Sequence, residues 1–355
     1  MKKIAIDVRM INNSGIGTYI KNVVPSIIEA LPQYQFILLG NKNELSQYMC
    51  ASNVELLHCM APIYSINEQI KIKKLVPYNV DLFWSPHYNI PLAYSGKLLV
   101  TIHDVFHLEM EGNLHKLFYA KLMFYAISRK ADAILCVSRF TKSQLLKHIK
   151  YDASSIFSIP NGVNAEWFSI SKQRIKHTRP YLLYVGNVKP HKNLVRLLKS
   201  YKLICNFIPH DLIIVGKKEG FITGDQTVIE MATHLKERVI FTGYVNQNEL
   251  QQYFINATAL IFPSLYEGFG LPAIEAMACR CPVVASNAAS LPEVCGDAAI
   301  YFNPYSIEEM AEKLLHITKD VALRNRLIEK GLERAKHFLW QKSADATLEA
   351  IYKVL

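Results

Sequence analysis

The sequence predicts an α/β protein of two domains, each built on a parallel sheet. Three observations carry this. The chain has 355 residues, half of them hydrophobic, enough to bury two cores of ordinary size. Its apolar segments are short continuous runs, the pattern of strands covered on both faces. Helical stretches separate these runs, and such a succession implies right-handed crossovers into a parallel sheet.

The first strand, Ile4-Ala5-Ile6, follows Met1-Lys2-Lys3 directly, so no secretory leader is expected. No apolar run approaches the roughly 18 to 20 residues of a membrane span. A cytosolic protein is expected. Asp7-Val8-Arg9 closes the strand, and Gly15 and Gly17 precede a helix through Tyr19 to Leu31. A glycine pair there lets backbone approach a ligand closely, and a bare turn would use it equally well. It is not a dinucleotide fingerprint, because the third glycine position is Ile20.

Strands follow at Phe36 to Leu39, Val54 to Leu57, Leu82 to Trp84 and Leu98 to Ile102. The loop Ser85 to Pro91, polar and aromatic at a strand end, is an expected ligand contact. His103 and Asp104 leave the strand Leu98 to Ile102 at its carboxyl end, where open sheets bind ligands. A histidine placed there hydrogen-bonds a hydroxyl, assists proton movement, or is structural. From Lys116 to Lys150, eight lysines and arginines stand against one acid, Asp132, interleaved with aromatic and aliphatic residues. That pattern fits a helix lying on an anionic membrane surface, and equally an ordinary domain helix with solvated lysines.

Ala133 to Val137 is the next strand, Ser138 caps the next helix, and Ile156 to Ile159 ends at the turn Pro160-Asn161-Gly162. The run Ser169 to Pro180 is polar, basic and loop-like. The expected domains are therefore residues 1–168 and 169–338, with a last helix in 339–355. The second domain opens with Tyr181 to Gly186, then Asn187 to Asn193 and a helix. Lys192 stands near that helix's N-terminus, where a cation is unfavourable unless an anion lies beside it. Leu212 to Gly216 and Val239 to Gly243 repeat the strand-to-glycine pattern, which lets a flat base pack on bare backbone; Val245 follows the second.

The most informative segment is Pro263 to Ser286, after the buried strand Ala259 to Phe262. Gly268-Phe269-Gly270 opens a helix at Leu271, with Pro272 in the first turn, where its missing N–H costs nothing. Orphan N–H groups and the helix dipole favour a phosphate there. Glu267 and Glu275, eight positions apart, frame it. A carboxylate repels phosphate but accepts hydrogen bonds from sugar hydroxyls. Two solvated glutamates around a helix start would look the same as a pair, but with the glycine-aromatic-glycine between them, one carboxylate on a ribose and one on a second sugar, with a diphosphate between, is the arrangement expected.

The segment EGFGLPAIEAMACRCPVV (Glu267 to Val284), together with TIHDV (Thr101 to Val105), resembles glycosyltransferase family 4, the retaining nucleotide-sugar transferases of the GT-B fold; matching elements run from Ile4 to Tyr352. The resemblance implies two Rossmann-like domains facing a central cleft. The first (1–168) would bind the acceptor and the second (169–338) the nucleotide-sugar, and the helix in 339–355 would cross back to the first. It implies that Glu267 and His103 touch the donor sugar, Glu275 the ribose, and Lys192 the diphosphate, where it neutralises the leaving group. Gly15 and Gly17 would lie against the diphosphate and reacting centre, and the nucleobase near Val245. Gly186, Asn187, Gly268, Phe269, Gly270 and Leu271 would supply the rest of the donor site, with Asp104 beside His103 in the catalytic group. Many members carry arginine where this chain has Asn187, so a transfer of its work to Lys189, His191 or Arg196 is expected.

The implied activity is retaining transfer of a hexose to a glycan or lipid-linked acceptor in bacterial surface polysaccharide or lipopolysaccharide synthesis. GDP-mannose is the favoured donor, since the loop Val185 to Leu194 resembles that of mannosyl- and rhamnosyltransferases. The alternatives are a UDP- or dTDP-sugar donor, a relative that epimerises or phosphorolyses its sugar, and a non-catalytic binder of nucleotide-sugar or nucleic acid. A net charge of +10 suits the last, but no nucleic-acid recognition motif accompanies it. No Asp-x-Asp motif occurs, so transfer is expected to need no metal and no cofactor besides the donor. The seven cysteines form no Cys-x-x-Cys pair, and most are expected to be small buried hydrophobes in a reducing compartment.

Overall fold

The computed structural model describes residues 1–45, 51–109, 114–169, 177–216 and 226–355. Part of the expected boundary run, residues 170–176, lies outside the described residues, as does Cys50. Contacts divide the chain into two units, Met1–Asn161 with Trp340–Leu355, and Gly162–Leu339.

The first unit runs β1 (Lys3–Asp7), α1 (Ser14–Ala30), β2 (Gln35–Gly40), α2 (Lys42–Leu45), β3 (Val54–His58), α3 (Ile66–Leu75), β4 (Leu82–Ser85), β5 (Leu98–Ile102), α4 (Phe106–Glu109), α5 (Leu114–Lys130), β6 (Ala133–Cys136), α6 (Arg139–His148) and β7 (Ile156–Ser158). Its sheet is parallel, in the order β3-β2-β1-β4-β5-β6-β7. Every residue of β4, β5 and β6 is buried, which is why these runs are uniformly apolar apart from Ser85 and Thr101. The winding reverses between β1 and β4. In such sheets the crevice opens beyond the carboxyl ends of the two strands at the reversal, here at Asp7 and at Ser85.

The second unit runs β8 (Tyr181–Val185), α7 (Leu194–Ile204), β9 (Asp211–Val215), α8 (Gln226–His234), β10 (Val239–Gly243), α9 (Gln247–Asn256), β11 (Ala259–Phe262), α10 (Leu271–Ala278), β12 (Val283–Ser286), α11 (Leu291–Cys295), β13 (Ala299–Phe302), α12 (Ile307–Lys319) and α13 (Val321–Lys336). Its sheet is also parallel, in the order β10-β9-β8-β11-β12-β13. The reversal falls between β8 and β11, so the loops leaving Val185 and Phe262 flank its crevice.

Residues 162–168, expected with the first domain, belong to the second unit. The Val163 N–H donates to Phe338 O at 2.9 Å. Trp167, 6% exposed, packs edge-on to Phe254, and its carbonyl accepts from Cys279 Sγ at 3.5 Å. This short segment has no apolar period to reveal its allegiance; one tryptophan fixes it. α14 (Trp340–Val354) groups with the first unit, lying along α1. Trp340 meets Tyr19 edge-on at 6.1 Å, and Lys97 Nζ donates to Val354 O at 2.7 Å. The six described cysteines are buried and unpaired with one another.

Candidate functional site

In the second unit the sequence builds a site at the β8/β11 reversal by stitching two loops together. A 3-10 turn, Pro190–Lys192, follows β8 and ends on Asn193, whose φ of 61° and ψ of 30° are left-handed. Asparagine tolerates that region better than most residues. Its buried side chain donates to Pro263 O at 3.0 Å and to Pro304 O at 2.8 Å, and accepts from Arg196 Nη1 at 3.0 Å. The Leu265 N–H donates to His191 O at 2.7 Å. The loops after β8 and β11 are thus one structure. On it Lys192 Nζ stands 2.5 Å from Glu267 Oε1. Ser264 Oγ donates to the same carboxylate oxygen at 2.7 Å, and the buried Ser290 hydroxyl lies 2.9 Å from both Glu267 O and Phe269 O.

The cation expected to need an anion therefore has one within its own chain, Glu267. Both side chains are partly accessible, 22% and 12%, so a ligand can reach them. α10 begins directly after Gly270, whose φ of +105° glycine alone adopts easily; an added Cβ would also stand 2.8 Å from Leu291 Cδ2. No side chain caps this N-terminus and no acid occupies its first turn. Gly268 is buried, and Phe269 packs edge-on to Phe338, so a ligand would meet the backbone of these two residues. Leu271 is half-buried at the helix start.

Glu275, one turn into α10, is half-buried, and among the described residues its carboxylate has no hydrogen-bond or ion-pair partner. Burial, uncompensated, pushes its pKa up to about 7. A carboxylate so placed gains from any hydroxyl that donates to it.

The strand-end glycines make a shelf beside this site. Gly216 N–H donates to Gly243 O at 3.1 Å, and a Cβ on Gly216 would lie 2.2 Å from Gly186 O, so glycine there lets adjoining loops touch backbone to backbone. The shelf leads from Gly186 across Gly216 towards half-buried Val245, after β10 and two strands from β8. Tyr184 Oη donates to Asn187 O at 3.2 Å and fixes the loop after β8. Of the basic residues expected to replace the missing arginine, Arg196 holds Asn193 and lies over the Tyr305 ring, while Lys189 is exposed.

The first unit holds the other expected residues. Gly15 and Gly17 lie within the first turn of α1, not in a loop ahead of it. A Cβ on Gly17 would stand 2.3 Å from Ile11 O, so the close approach this glycine permits is to its own chain. His103, after β5, has Nε2 at 2.9 Å from Pro86 O; a carbonyl only accepts, so Nε2 carries the proton and donates. Burial lowers its pKa to about 4, with the neighbouring His87 adding to the effect. At neutral pH His103 is uncharged and offers Nδ1 as an acceptor for a hydroxyl, rather than acting as an acid. Asp104 Oδ1 accepts from the Phe106 N–H at 3.0 Å and so anchors the start of α4.

At the β1/β4 reversal lies a buried ionic network. Arg9 donates from Nε to Asp7 Oδ1 at 2.8 Å and from Nη2 to Asp7 Oδ2 at 2.5 Å, and it also pairs with Glu68. His87 Nε2 lies 3.3 Å from Asp7 Oδ2. Glu68 accepts from Asn89 and from the Tyr64 N–H at 2.9 Å. The Arg9 and His87 contacts hold the Asp7 carboxyl well below its usual range despite the cost of burial. Tyr64, at a φ of 68°, stacks on Tyr88 and meets Tyr119 edge-on. The loop Ser85 to Pro91 thus contributes buried His87 and Asn89 to the ionic network and half-buried Tyr88 to the aromatic stack. Arg9 and Glu68 were not singled out from the sequence; the Asp-x-Arg at a strand end was the available signal, and Glu68 gave none.

The profile described as "Glycosyl transferases group 1" matches residues 165–334, and that described as "Glycosyltransferase Family 4" matches 52–167. "O-antigen chain mannosyltransferase B" of Escherichia coli is 29% identical over 78% of this chain and 75% of its own length. "O-antigen chain mannosyltransferase RfbU" of Salmonella typhimurium is 30% identical over 68% of this chain and 66% of its own. Among solved structures, Anabaena Alr3699/HepE in complex with UDP-glucose superposes with a TM-score of 0.80 at 16% identity, each chain fully covered. Sucrose-phosphate synthase of Thermosynechococcus elongatus gives 0.78 at 19% identity, over 99% of this chain and 98% of that one. At such identities these two structures speak to the fold alone, and the two doubly wound units have the GT-B fold.

Proposed function

The chain belongs to the glycosyltransferases, a family 4 segment joined to a group 1 segment, and on that premise we propose that it moves mannose from GDP-mannose, with retention, to a glycan or lipid-linked acceptor during synthesis of a bacterial surface polysaccharide. One observation carries the reading: the Lys192–Glu267 pair at the β8/β11 reversal, with Glu275 unpartnered one helical turn on. A donor diphosphate competes with Glu267 for Lys192. When Lys192 turns to the phosphates it neutralises the leaving group, and Glu267 is released to accept from a sugar hydroxyl. Glu275 takes the ribose hydroxyls. The bond from the anomeric carbon to phosphate oxygen breaks, the bond to the acceptor oxygen forms on the same face, and the departing phosphate takes the acceptor's proton.

The names of the mannosyltransferase relatives support the sugar and the polysaccharide. The lack of an Asp-x-Asp motif supports a donor site in which Lys192 serves in place of a metal. A lipid-linked acceptor would place the enzyme at the cytoplasmic face of the cell membrane.

The test is GDP release from GDP-mannose, with UDP- and dTDP-sugars as comparators, with and without EDTA, in wild type and Glu267→Ala. Turnover with GDP-mannose alone, indifferent to EDTA, is expected. Glu267→Ala should lower kcat about a hundredfold. It should also tighten GDP binding by roughly two- to fivefold, because a partly exposed ion pair is worth about 0.5–1 kcal/mol and no longer competes. Turnover confined to another nucleotide-sugar sinks the GDP-mannose assignment. Loss in EDTA sinks metal independence, and no turnover with any donor points to a binder.

A further inference from the structure

We infer that the exposed face of α5, flanked by α3, is a docking surface for a bilayer rich in acidic phospholipid; this deepens the reading above, which has a lipid-linked acceptor, by naming the surface that meets the membrane. α5 buries Ala120, Met123, Phe124, Ala126 and Ile127. On its outer face Leu114, Phe118, Leu122 and Tyr125 are 79%, 72%, 43% and 67% exposed. Their spacing keeps them on one stripe of the helix. Four large apolar side chains in a row on a water-facing surface mark an interaction site rather than scatter.

The charge around the stripe selects the occupant. α5 contains no acid; Lys121 and Arg129 are exposed on it and Lys116 adds a further positive charge. α3 repeats the pattern: Ile66 and Ile70 are 82% and 51% exposed, Lys73 and Lys74 follow on the same face, and its one acid, Glu68, is buried in the ionic network. Tyr64, just ahead of α3, meets Tyr119 of α5 edge-on and links the two. A second copy docked on this face would bring the same lysines and arginines against one another, which like charge opposes. A membrane surface offers apolar depth for the stripe and negative headgroups for its basic border. α6, the other basic helix of the 116–150 stretch, has no such stripe and takes no part.

The experiment is co-sedimentation of the full chain with phosphatidylcholine vesicles, with and without phosphatidylglycerol. Wild type should bind the anionic vesicles, less so in high salt. Lys73→Gln with Lys121→Gln should weaken that binding by about thirtyfold, the equivalent of roughly 1 kcal/mol for each cation near the surface. Phe118→Ser with Leu122→Ser should weaken it by roughly tenfold or more. All four positions are exposed, so the melting temperature and turnover with a soluble acceptor should hold. Wild type that binds neither vesicle, variants that bind as wild type does, or a dimer that Phe118→Ser dissolves would overturn the inference. Glu267→Ala should dock normally while losing turnover. A wild type that docks but turns over no nucleotide-sugar would sink the transferase reading and leave the docking surface standing.

Discussion

At the scale of single residues, Glu275 is the side chain whose environment is least settled without a ligand. Its folded pKa of about 7 lies above the ordinary carboxyl value of 4.5, so the folded state holds a proton that the unfolded chain has released between those two values. Stability must therefore fall as pH rises from about 4.5 to 7 and level off above. Glu275→Gln should flatten that fall, with a melting temperature near wild type at pH 5 and roughly 5 °C above it at pH 8. Nucleotide affinity should move the other way. A ribose that donates to the ionised carboxylate binds better as pH rises through 7, and calorimetry with GDP at pH 6 and 8 should show tightening in wild type and none in Glu275→Gln. Lys192, Glu267 and Glu275 were all legible in the sequence, because each sits where a strand end or helix start dictates its chemistry. That Lys192 and Glu267 answer each other was not legible: their contact spans 75 positions and depends on two strands being neighbours.

At the scale of elements, the site depends on the stitch between the loops after β8 and β11, and Asn193 is its knot. Asn193→Ala leaves two buried carbonyls without their donor and puts alanine in the left-handed region, about 3 kcal/mol together. A melting temperature lower by roughly 8 °C is expected. Asn193→Gly keeps the backbone conformation and should recover about a third of the loss, while Lys192 and Glu267 remain misplaced, so turnover should not return with stability. Equal melting temperatures for wild type and Asn193→Ala would show that the stitch carries no weight. Strands and their order of burial were readable from continuous apolar runs. The glycine shelf was readable as a repeated pattern, though not as loops touching backbone to backbone. Gly17 is ambiguous for a physical reason: a glycine needed for close approach to a ligand and one needed for close approach to Ile11 O look the same in a sequence.

At the scale of the whole molecule, two units share one chain unequally. The second is continuous, residues 162–339, while the first is assembled from both ends, with α14 laid on α1. Ending the chain before Trp340 should therefore injure the unit that lies farthest from the cut in sequence. Hydrogen exchange should show protection lost in α1 and β1 and kept in β8, β11 and α10; the opposite pattern would contradict the assignment of α14. The sequence supported a helix in 339–355, but which unit it completes is a matter of tertiary packing, written in Tyr19 and Trp340 meeting across more than 300 positions. This discontinuity has a counterpart in biosynthesis. As the polypeptide leaves the ribosome, the second unit has all its parts before the stretch that built the other unit's sheet receives its closing helix. Tyr19 and the face of α1 stay uncovered for the whole of that interval, so a nascent or prematurely terminated chain carries an apolar mark of incompleteness that chaperones and proteases can recognise.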